Sequence, residues 1–114
     1  MSIRVLVIRT TEEPFLTRIA GPRTPSTLDA LQAEVGGYIE PITGSDWVMY
    51  LDEDGKMKNL NPNPTASRLA HRLGWQGLRA GDFIVGTVVV CGRNGPEESD
   101  VPQHVLDTLE GLSK

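Results

Sequence analysis

The sequence predicts a single small α+β domain in which a mostly antiparallel sheet of about five or six strands carries two or three packed helices. Three observations lead to this prediction. The 114 residues match the commonest size of one domain. Short apolar runs typical of strands are interspersed with amphipathic segments of helical period. No repeat, low-complexity tract or linker divides the chain, so residues 1–114 are expected to form one domain.

The predicted strands are short β-branched or aromatic runs bounded by turn residues. They cover residues 3–8, 15–19, 38–42, 47–51, 56–60 and 83–90. The last run is the strongest strand candidate and is expected to lie at the centre of the sheet. Its Gly86 predicts a bulge or a place where another side chain crosses closely, with Trp75 or Tyr38 as candidates. Residues 52–55 are expected to form a tight turn and residues 92–99 a loop.

The first predicted helix covers residues 26–35. Thr24 is a suitable N-cap and Pro25 suits the first helical position, although Ser26 with Asp29 offers a start one or two residues later. Gly36 is expected at the position after the helix, where a left-handed conformation costs glycine little.

Two further helices are predicted in the second half of the chain. Asn63 can cap a helix that has Pro64 at its first position and ends at Gly74. Asp100 or Ser99 is expected to cap the last helix. The predicted element order is therefore ββα, then βββ, then αβα.

Composition and charge narrow the setting of the protein. The formal net charge is −4, from 11 basic and 15 acidic residues, whereas nucleic-acid binding needs a basic face, so no nucleic-acid partner is expected. No stretch approaches the roughly 20 apolar residues of a membrane span, so no membrane association is expected. The single cysteine, Cys91, excludes an internal disulfide and is expected to be an inert core thiol. Together these features favour a cytoplasmic protein.

The run Val-Gly-Gly-Tyr-Ile-Glu at residues 35–40 resembles the signature of an uncharacterised family, domain of unknown function 3846. The acidic turn at residues 52–55, the segment from Asn63 to Ser67 and the run from Asp82 to Gly86 resemble later parts of the same pattern. The resemblance implies an accessory protein of a bacteriophage or mobile element, acting in the host cytoplasm if phage-encoded. It implies no reaction.

Residues 36–40 are the best candidate for a functional surface. Gly36 and Gly37 leave main chain without Cβ atoms, so a ligand or another backbone can approach closely. Tyr38 and Glu40 lie two residues apart on a predicted strand and therefore share a face, where an aromatic ring could stack and a carboxylate could accept hydrogen bonds. The plainer interpretation is a glycine cap followed by a core tyrosine and a solvated glutamate.

A second candidate feature is the start of the helix after Asn63. Free backbone N–H groups and hydroxyls at a helix N-terminus can hold an anion, and Arg68 one turn later could add charge. The plainer interpretation is simple capping by Asn63. No spacing of histidine, cysteine or acidic residues predicts a metal site, the acidic turn departs from the EF-hand pattern, and no nucleotide-binding glycine motif occurs. We therefore expect no metal and no cofactor.

Three functions are compatible with these features. The preferred one is a non-enzymatic accessory protein that binds a host protein, which predicts an exposed apolar patch involving Trp47 or Trp75. The runner-up is a counter-defence protein that binds or sequesters a small nucleotide-like ligand, such as a signal used in host defence. Its pocket or dimer cleft would lie at Gly36, Gly37, Tyr38 and Glu40, with phosphate contacts from Asn63 and Arg68. An enzyme with Glu40 or Asp82 as general base is the third, and no partner residue supports it.

Overall fold

The computed structural model describes residues 2–21, 25–77 and 81–112. The elements follow one another in the order ββαββαββα. The strands are β1 (Ser2–Ile8), β2 (Phe15–Ala20), β3 (Ile39–Thr43), β4 (Trp47–Asp52), β5 (Val88–Asn94) and β6 (Glu97–Ser99). The helices are α1 (Pro25–Val35), α2 (Pro64–Arg72) and α3 (Gln103–Gly111).

The six strands form one sheet in the order β2-β1-β5-β4-β3, and β6 pairs with β5 outside that path. Every strand pair in the described part of the chain is antiparallel. One edge of β5 is shared: β1 pairs with its first half, at residues 88–90, and β6 pairs with its second half, at residues 92–94. The predicted α+β class and the central position of the β5 region are thus confirmed.

Different helices cover the two faces of the sheet, because alternate residues of each strand point to opposite sides. On one face, which we call the α2/α3 face, strand residues such as Leu6 and Val90 pack against Leu69 of α2 and Val105 of α3. On the opposite face, the α1 face, the buried strand side chains pack against Leu31 and Val35. These strand side chains are Ile3, Val5, Val7, Ile19, Val48, Val89 and Cys91.

The helix ends are mostly as predicted. Gly36 has a φ of 93°, and its N–H donates to the carbonyl of Gln32 at 2.8 Å, which is the left-handed C-terminal cap expected there. Asn63 caps α2 and Pro64 is its first residue, with Gly74 just beyond the end at a φ of 111°. The predicted N-cap of α1, Thr24, lies outside the described residues.

The prediction of one strand over residues 83–90 is wrong. Gly86 has a φ of 75°, which no extended strand accommodates, and β5 begins only at Val88. Before the glycine, Val85 forms a single bridge with Pro62. A side chain does cross Gly86 closely, as expected, but it is Leu60: a Cβ on Gly86 would lie 2.8 Å from Leu60 Cδ1.

Residues 92–99 are not the predicted loop. They continue β5 and return as β6 through a two-residue turn, in which Asn94 pairs with Glu97. Gly95 takes the first turn position at a φ of 61°, the value that a type II′ turn needs there. Glycine at the first central position is the recognised signal of a type II′ hairpin, so the sequence contained the information for this turn.

Two further predictions are corrected. Residues 56–60 are not a strand but part of a compact turn, in which Asn59 has a φ of 60° and Lys58 N–H donates to the carbonyl of Asp54. Asp100 and Ser99 do not cap α3, which begins after Pro102 without a side-chain cap. Asp100 Oδ1 instead accepts a hydrogen bond from the Arg4 N–H at 2.8 Å and ties the chain after β6 to β1. In the described part of the chain, no helix has the length and apolarity needed to cross a membrane.

Candidate binding sites

The glycine corner at residues 36–40 is open on one side and closed on the other. A Cβ on Gly36 would meet no atom within 4 Å. A Cβ on Gly37 would lie 2.5 Å from Lys58 Nζ and 2.9 Å from Asp52 Oδ2. The space beside the main chain of Gly37 is therefore filled by the ion pair of Lys58 and Asp52, and not left open for a ligand.

That ion pair organises the turn after β4. The Asp52 side chain is almost fully buried, and its Oδ2 lies 2.8 Å from Lys58 Nζ. Its Oδ1 accepts the N–H of Asp54 at 2.8 Å. The N–H of Glu53 donates to the carbonyl of Tyr38 at 2.9 Å, which joins the turn to the glycine corner. The absence of a side chain at Gly37 thus has a structural reason.

Replacing Gly37 by alanine is expected to lower the free energy of unfolding by about 1 kcal/mol, because the new methyl group displaces the Lys58 ammonium from Asp52. Urea unfolding of Gly37→Ala in the wild type and in a Lys58→Met background measures the coupling. The cost should fall by more than half when Lys58 is already absent. An equal cost in both backgrounds would show that Lys58 is not what excludes a side chain there.

Tyr38 and Glu40 are both exposed, and Tyr38 leaves 70% of its surface open to solvent. The plainer interpretation of Tyr38 as a core residue is therefore wrong. Ile39, between them, packs against the core of the α1 face, which agrees with the predicted alternation. Glu40 nevertheless lines a cavity in which Tyr38 is not among the described lining residues.

Asn63 is a buried structural residue. Only 1% of its surface is exposed. Its Nδ2 donates to the carbonyls of Ile8 at 3.0 Å and Gly86 at 2.8 Å, and its Oδ1 accepts the N–H of Ala66 at 3.0 Å. One side chain therefore connects β1, α2 and the segment before β5. Its side-chain nitrogen and oxygen are already used within the protein, so its amide does not face a ligand.

The neighbouring hydroxyl of Ser67 is occupied in the same way. It donates to the carbonyl of Asn63 at 3.0 Å and accepts the N–H of Ile84 at 2.9 Å. The start of α2 is consequently satisfied by the protein's own groups, as the capping interpretation expects.

Arg68 lies on the exposed side of α2 and borders a different cavity from Glu40. Its Nη2 donates to the carbonyl of Leu112 at 3.2 Å. It lines a cleft of about 660 Å³ on the α2/α3 face, between the start of β2 and helices α2 and α3, which we call the β2 cleft. The cleft is lined by Leu6, Glu13, Pro14, Phe15, Leu16, Thr65, Arg68, Leu106, Leu109, Glu110 and Leu112.

A second cavity, of about 380 Å³, lies where β3 and β4 meet the acidic turn and the segment before β5. We call it the mixed cavity, because two aromatic side chains, Trp75 and Phe83, and several charged ones line it together. The charged residues are Glu40, Asp52, Glu53, Lys56 and Asp82. The Lys56 ammonium lies 4.9 Å from the centroid of the Phe83 ring and pairs with Asp82.

The structure therefore divides the six predicted site residues. Glu40 borders the mixed cavity, Arg68 borders the β2 cleft, and Asn63 is internal to the fold. The predicted exposed patch at the tryptophans is also wrong in part, since Trp47 is 96% buried and Trp75 packs partly against the core. Sequence reasoning missed Leu16 and Phe83, two exposed apolar residues at cavity walls, because both fall within predicted strands, at 15–19 and 83–90.

Cys91 is placed in the core of the α1 face and is fully buried. Burial, and then the negative charge of Glu98, raises the pKa of the Cys91 thiol to about 12. The thiol is therefore protonated at neutral pH, and since the thiolate is the nucleophile, Cys91 is unreactive in the folded protein. Within the described ranges, no group of three or more histidine, cysteine, aspartate or glutamate side chains could hold a metal ion.

The chain has the fold of a small antiparallel α+β domain, and the β2 cleft and the mixed cavity are among its surface cavities. A family model described as domain of unknown function, DUF3846, matches residues 3–113. Because the match covers nearly the whole chain, the protein belongs to this family, as the Val-Gly-Gly-Tyr-Ile-Glu run indicates. No match was found among curated proteins or among solved structures.

Proposed function

We propose that this protein is a non-enzymatic accessory protein of a bacteriophage or mobile element, and that it binds a host protein at β2 and the β2 cleft. The observation that supports the proposal best is the combination of a large apolar cleft with an adjacent strand whose outer edge has no partner among the described residues. A polypeptide can use both features at once, whereas a small ligand can use only the cleft.

The β2 edge is suited to pairing with another chain. Sheet edges carry unpaired N–H and C=O groups, and natural proteins often blunt them with proline, charges or bulges. At the opposite edge of this sheet, β3 contains Pro41, which removes one donor. The six residues of β2 include no proline and one charged residue, Arg18, and in the described part of the chain they pair only with β1.

The lining of the β2 cleft indicates which partner segment would bind. Leu16 leaves 44% of its surface exposed and faces the same side as Leu6, its register partner in β1. Glu13 and Glu110 add two exposed carboxylates against one cation, Arg68, so the charge of the described lining is negative. The occupant we propose is an extended segment of the host protein that adds to β2 as a strand, inserts an apolar side chain and carries a basic one.

Site-specific photo-crosslinking in host lysate tests this proposal. A photoreactive phenylalanine analogue is placed at position 16 and, as the matched control, at position 28. Leu28 on α1 is equally exposed, at 47%. A partner is expected from position 16 and not from position 28. The purified partner should then bind Leu16→Asp at least about tenfold more weakly than wild type and bind Leu28→Asp as wild type, since each 1.4 kcal/mol is a factor of ten.

Other outcomes decide against this surface. Crosslinking to the same proteins from both positions, or equal affinity of the two aspartate variants, would remove β2 as the docking site. Crosslinking of position 16 to a second copy of the chain, together with a dimeric mass in solution, would show that β2 and the β2 cleft form a dimer interface and do not bind a host protein.

The mixed cavity supports a second candidate function, the binding of a small ligand. Its volume lies within the range of ligand pockets, and it joins aromatic walls to a few polar groups. It includes Glu40, one of the residues predicted to bind a nucleotide-like ligand in a counter-defence role. Thermal-shift measurement with a panel of nucleotides, including signal nucleotides, tests that form of the candidate.

A further inference from the structure

We infer that the mixed cavity takes a small organic cation that carries an ammonium or guanidinium group. This inference rests on the second candidate function and names its ligand class. It follows from the charges of the cavity, from its aromatic walls and from the cation that the protein itself places there.

The charge balance of the lining is acidic. The Asp52 carboxylate is satisfied by Lys58 and by the N–H of Asp54, so it takes no further part. The carboxylates of Glu40 and Glu53 have no hydrogen-bond or ion-pair partner in the part of the chain that the structure describes, and both residues are exposed. Among the described residues of the lining, the only basic one is Lys56. The carboxylates of Glu40 and Glu53 would attract an entering cation, whereas they would repel an entering phosphate.

The aromatic walls favour the same chemistry. Trp75 and Phe83 both line the cavity, and Phe83 is exposed. The faces of aromatic rings carry partial negative charge and attract ammonium and guanidinium groups. Carboxylates beside an aromatic face are therefore complementary to an organic cation in both charge and shape.

The ammonium group of Lys56 already occupies a site of this kind within the protein. Its ammonium lies over the Phe83 ring and pairs with Asp82, so one cation occupies the aromatic and acidic wall. The Lys56 side chain is about half exposed and belongs to the turn between β4 and α2. A flexible, solvent-exposed tether allows an external cation to replace it. Lys56 thus acts as an internal competitor for the site.

The test is a titration with agmatine, which carries an amine and a guanidinium, and with the neutral analogue butylurea. Tryptophan fluorescence reports the site, because Trp75 borders the cavity and Trp47 is buried elsewhere. Calorimetry repeats each titration to detect binding without a fluorescence change. Agmatine is expected to bind, and its affinity should fall as the salt concentration rises, because salt screens the attraction between charges. Butylurea is not expected to bind.

Four variants separate this inference from general electrostatic attraction. Glu40→Gln and Glu53→Gln should each weaken agmatine binding about threefold, the size expected of an exposed ion pair. Glu97→Gln removes an exposed carboxylate of β6 outside the cavity and should leave the affinity unchanged. Lys56→Met should strengthen binding about threefold, because it removes the internal competitor. Circular dichroism checks that each variant is folded.

Four results would overturn the inference. Weaker agmatine binding by Lys56→Met would mean that Lys56 assists the ligand, and an equal effect of Glu40→Gln and Glu97→Gln would mean that the cavity is not the site. If adenosine monophosphate binds and agmatine does not, the ligand class is wrong but the cavity remains a ligand site. If neither binds, the second candidate function falls with the inference.

Discussion

Replacing Asn63 by alanine is expected to lower the free energy of unfolding by roughly 3–7 kcal/mol. The change removes the cap of α2, worth about 1 kcal/mol. It also leaves the buried carbonyls of Ile8 and Gly86 without the donor that each has now, at about 1–3 kcal/mol for each unsatisfied group. Against the roughly 5–15 kcal/mol of an ordinary domain, this is a large fraction of the total.

Urea unfolding followed by circular dichroism measures this effect, with an unchanged slope against denaturant expected if both states keep their compactness. Asn61→Ala is the matched control: its side chain is exposed, and only its backbone carbonyl is used, by the Gly86 N–H. It should change stability by no more than about 0.5 kcal/mol. Asn63→Asp keeps one oxygen for the Ala66 N–H but places its second oxygen, in place of the Nδ2 donor, against the carbonyls of Ile8 and Gly86. It should therefore be at least as destabilising as Asn63→Ala.

The Asn63 variants also decide between two roles for the residue. A ligand-binding asparagine would leave the variant as stable as wild type and reduce only its binding. A stable, folded Asn63→Ala protein would therefore contradict the structural role and restore the start of α2 as a candidate anion site.

Gly92→Ala is expected to cost about 2–3 kcal/mol, the second-largest effect. Gly92 lies in β5 between β4 and β6, paired with Trp47 on one side and Ser99 on the other. A Cβ there would overlap the carbonyl oxygen of Asp100 and lie 2.5 Å from Ser99 Oγ. Because the nearest atom belongs to the backbone, the chain after β6 must move.

That movement has a specific consequence. The Asp100 side chain accepts the Arg4 N–H, and the Val101 N–H donates to the Arg4 carbonyl at 2.8 Å. Displacing residues 99–101 therefore weakens the junction of β6 with β1. Amide hydrogen exchange should show Val101 losing protection in Gly92→Ala, while amides of α1 keep theirs.

Gly111→Ala provides the control for this glycine substitution. No atom lies within 4 Å of a Cβ at Gly111, the last residue of α3. Alanine is a better helix former than glycine by up to about 1 kcal/mol, so this variant should be unchanged or more stable. If both glycine variants lost stability equally, steric overlap at Gly92 would not be the cause.

The two proposed surfaces make separate predictions. Among the residues that the structure describes, the β2 cleft and the mixed cavity share no lining residue. Leu16→Asp should therefore leave agmatine binding unchanged, and Glu40→Gln should leave host-protein binding unchanged. Each surface can be lost without the other.

The sequence by itself determined the features that depend on neighbouring residues. Asn63, Pro64 and Gly74 delimited α2 correctly because capping, proline placement and glycine at a left-handed position act within one helical turn. Gly36 ended α1 for the same reason, and the apolar runs identified β1 and β4 because burial imposes their composition. The family was likewise recognisable from one short run.

Tertiary structure alone decided which of these features meet. Whether Asn63 serves a ligand or the fold depends on Ile8, 55 residues earlier, and Gly86, 23 residues later. The β2 cleft forms only where β2, α2 and α3 converge, and the mixed cavity only where the acidic turn reaches Trp75 and Phe83. Local sequence sets the conformation of a segment through steric and hydrogen-bonding preferences. The assembly of distant segments depends on long-range packing and strand pairing, which no single stretch of sequence encodes.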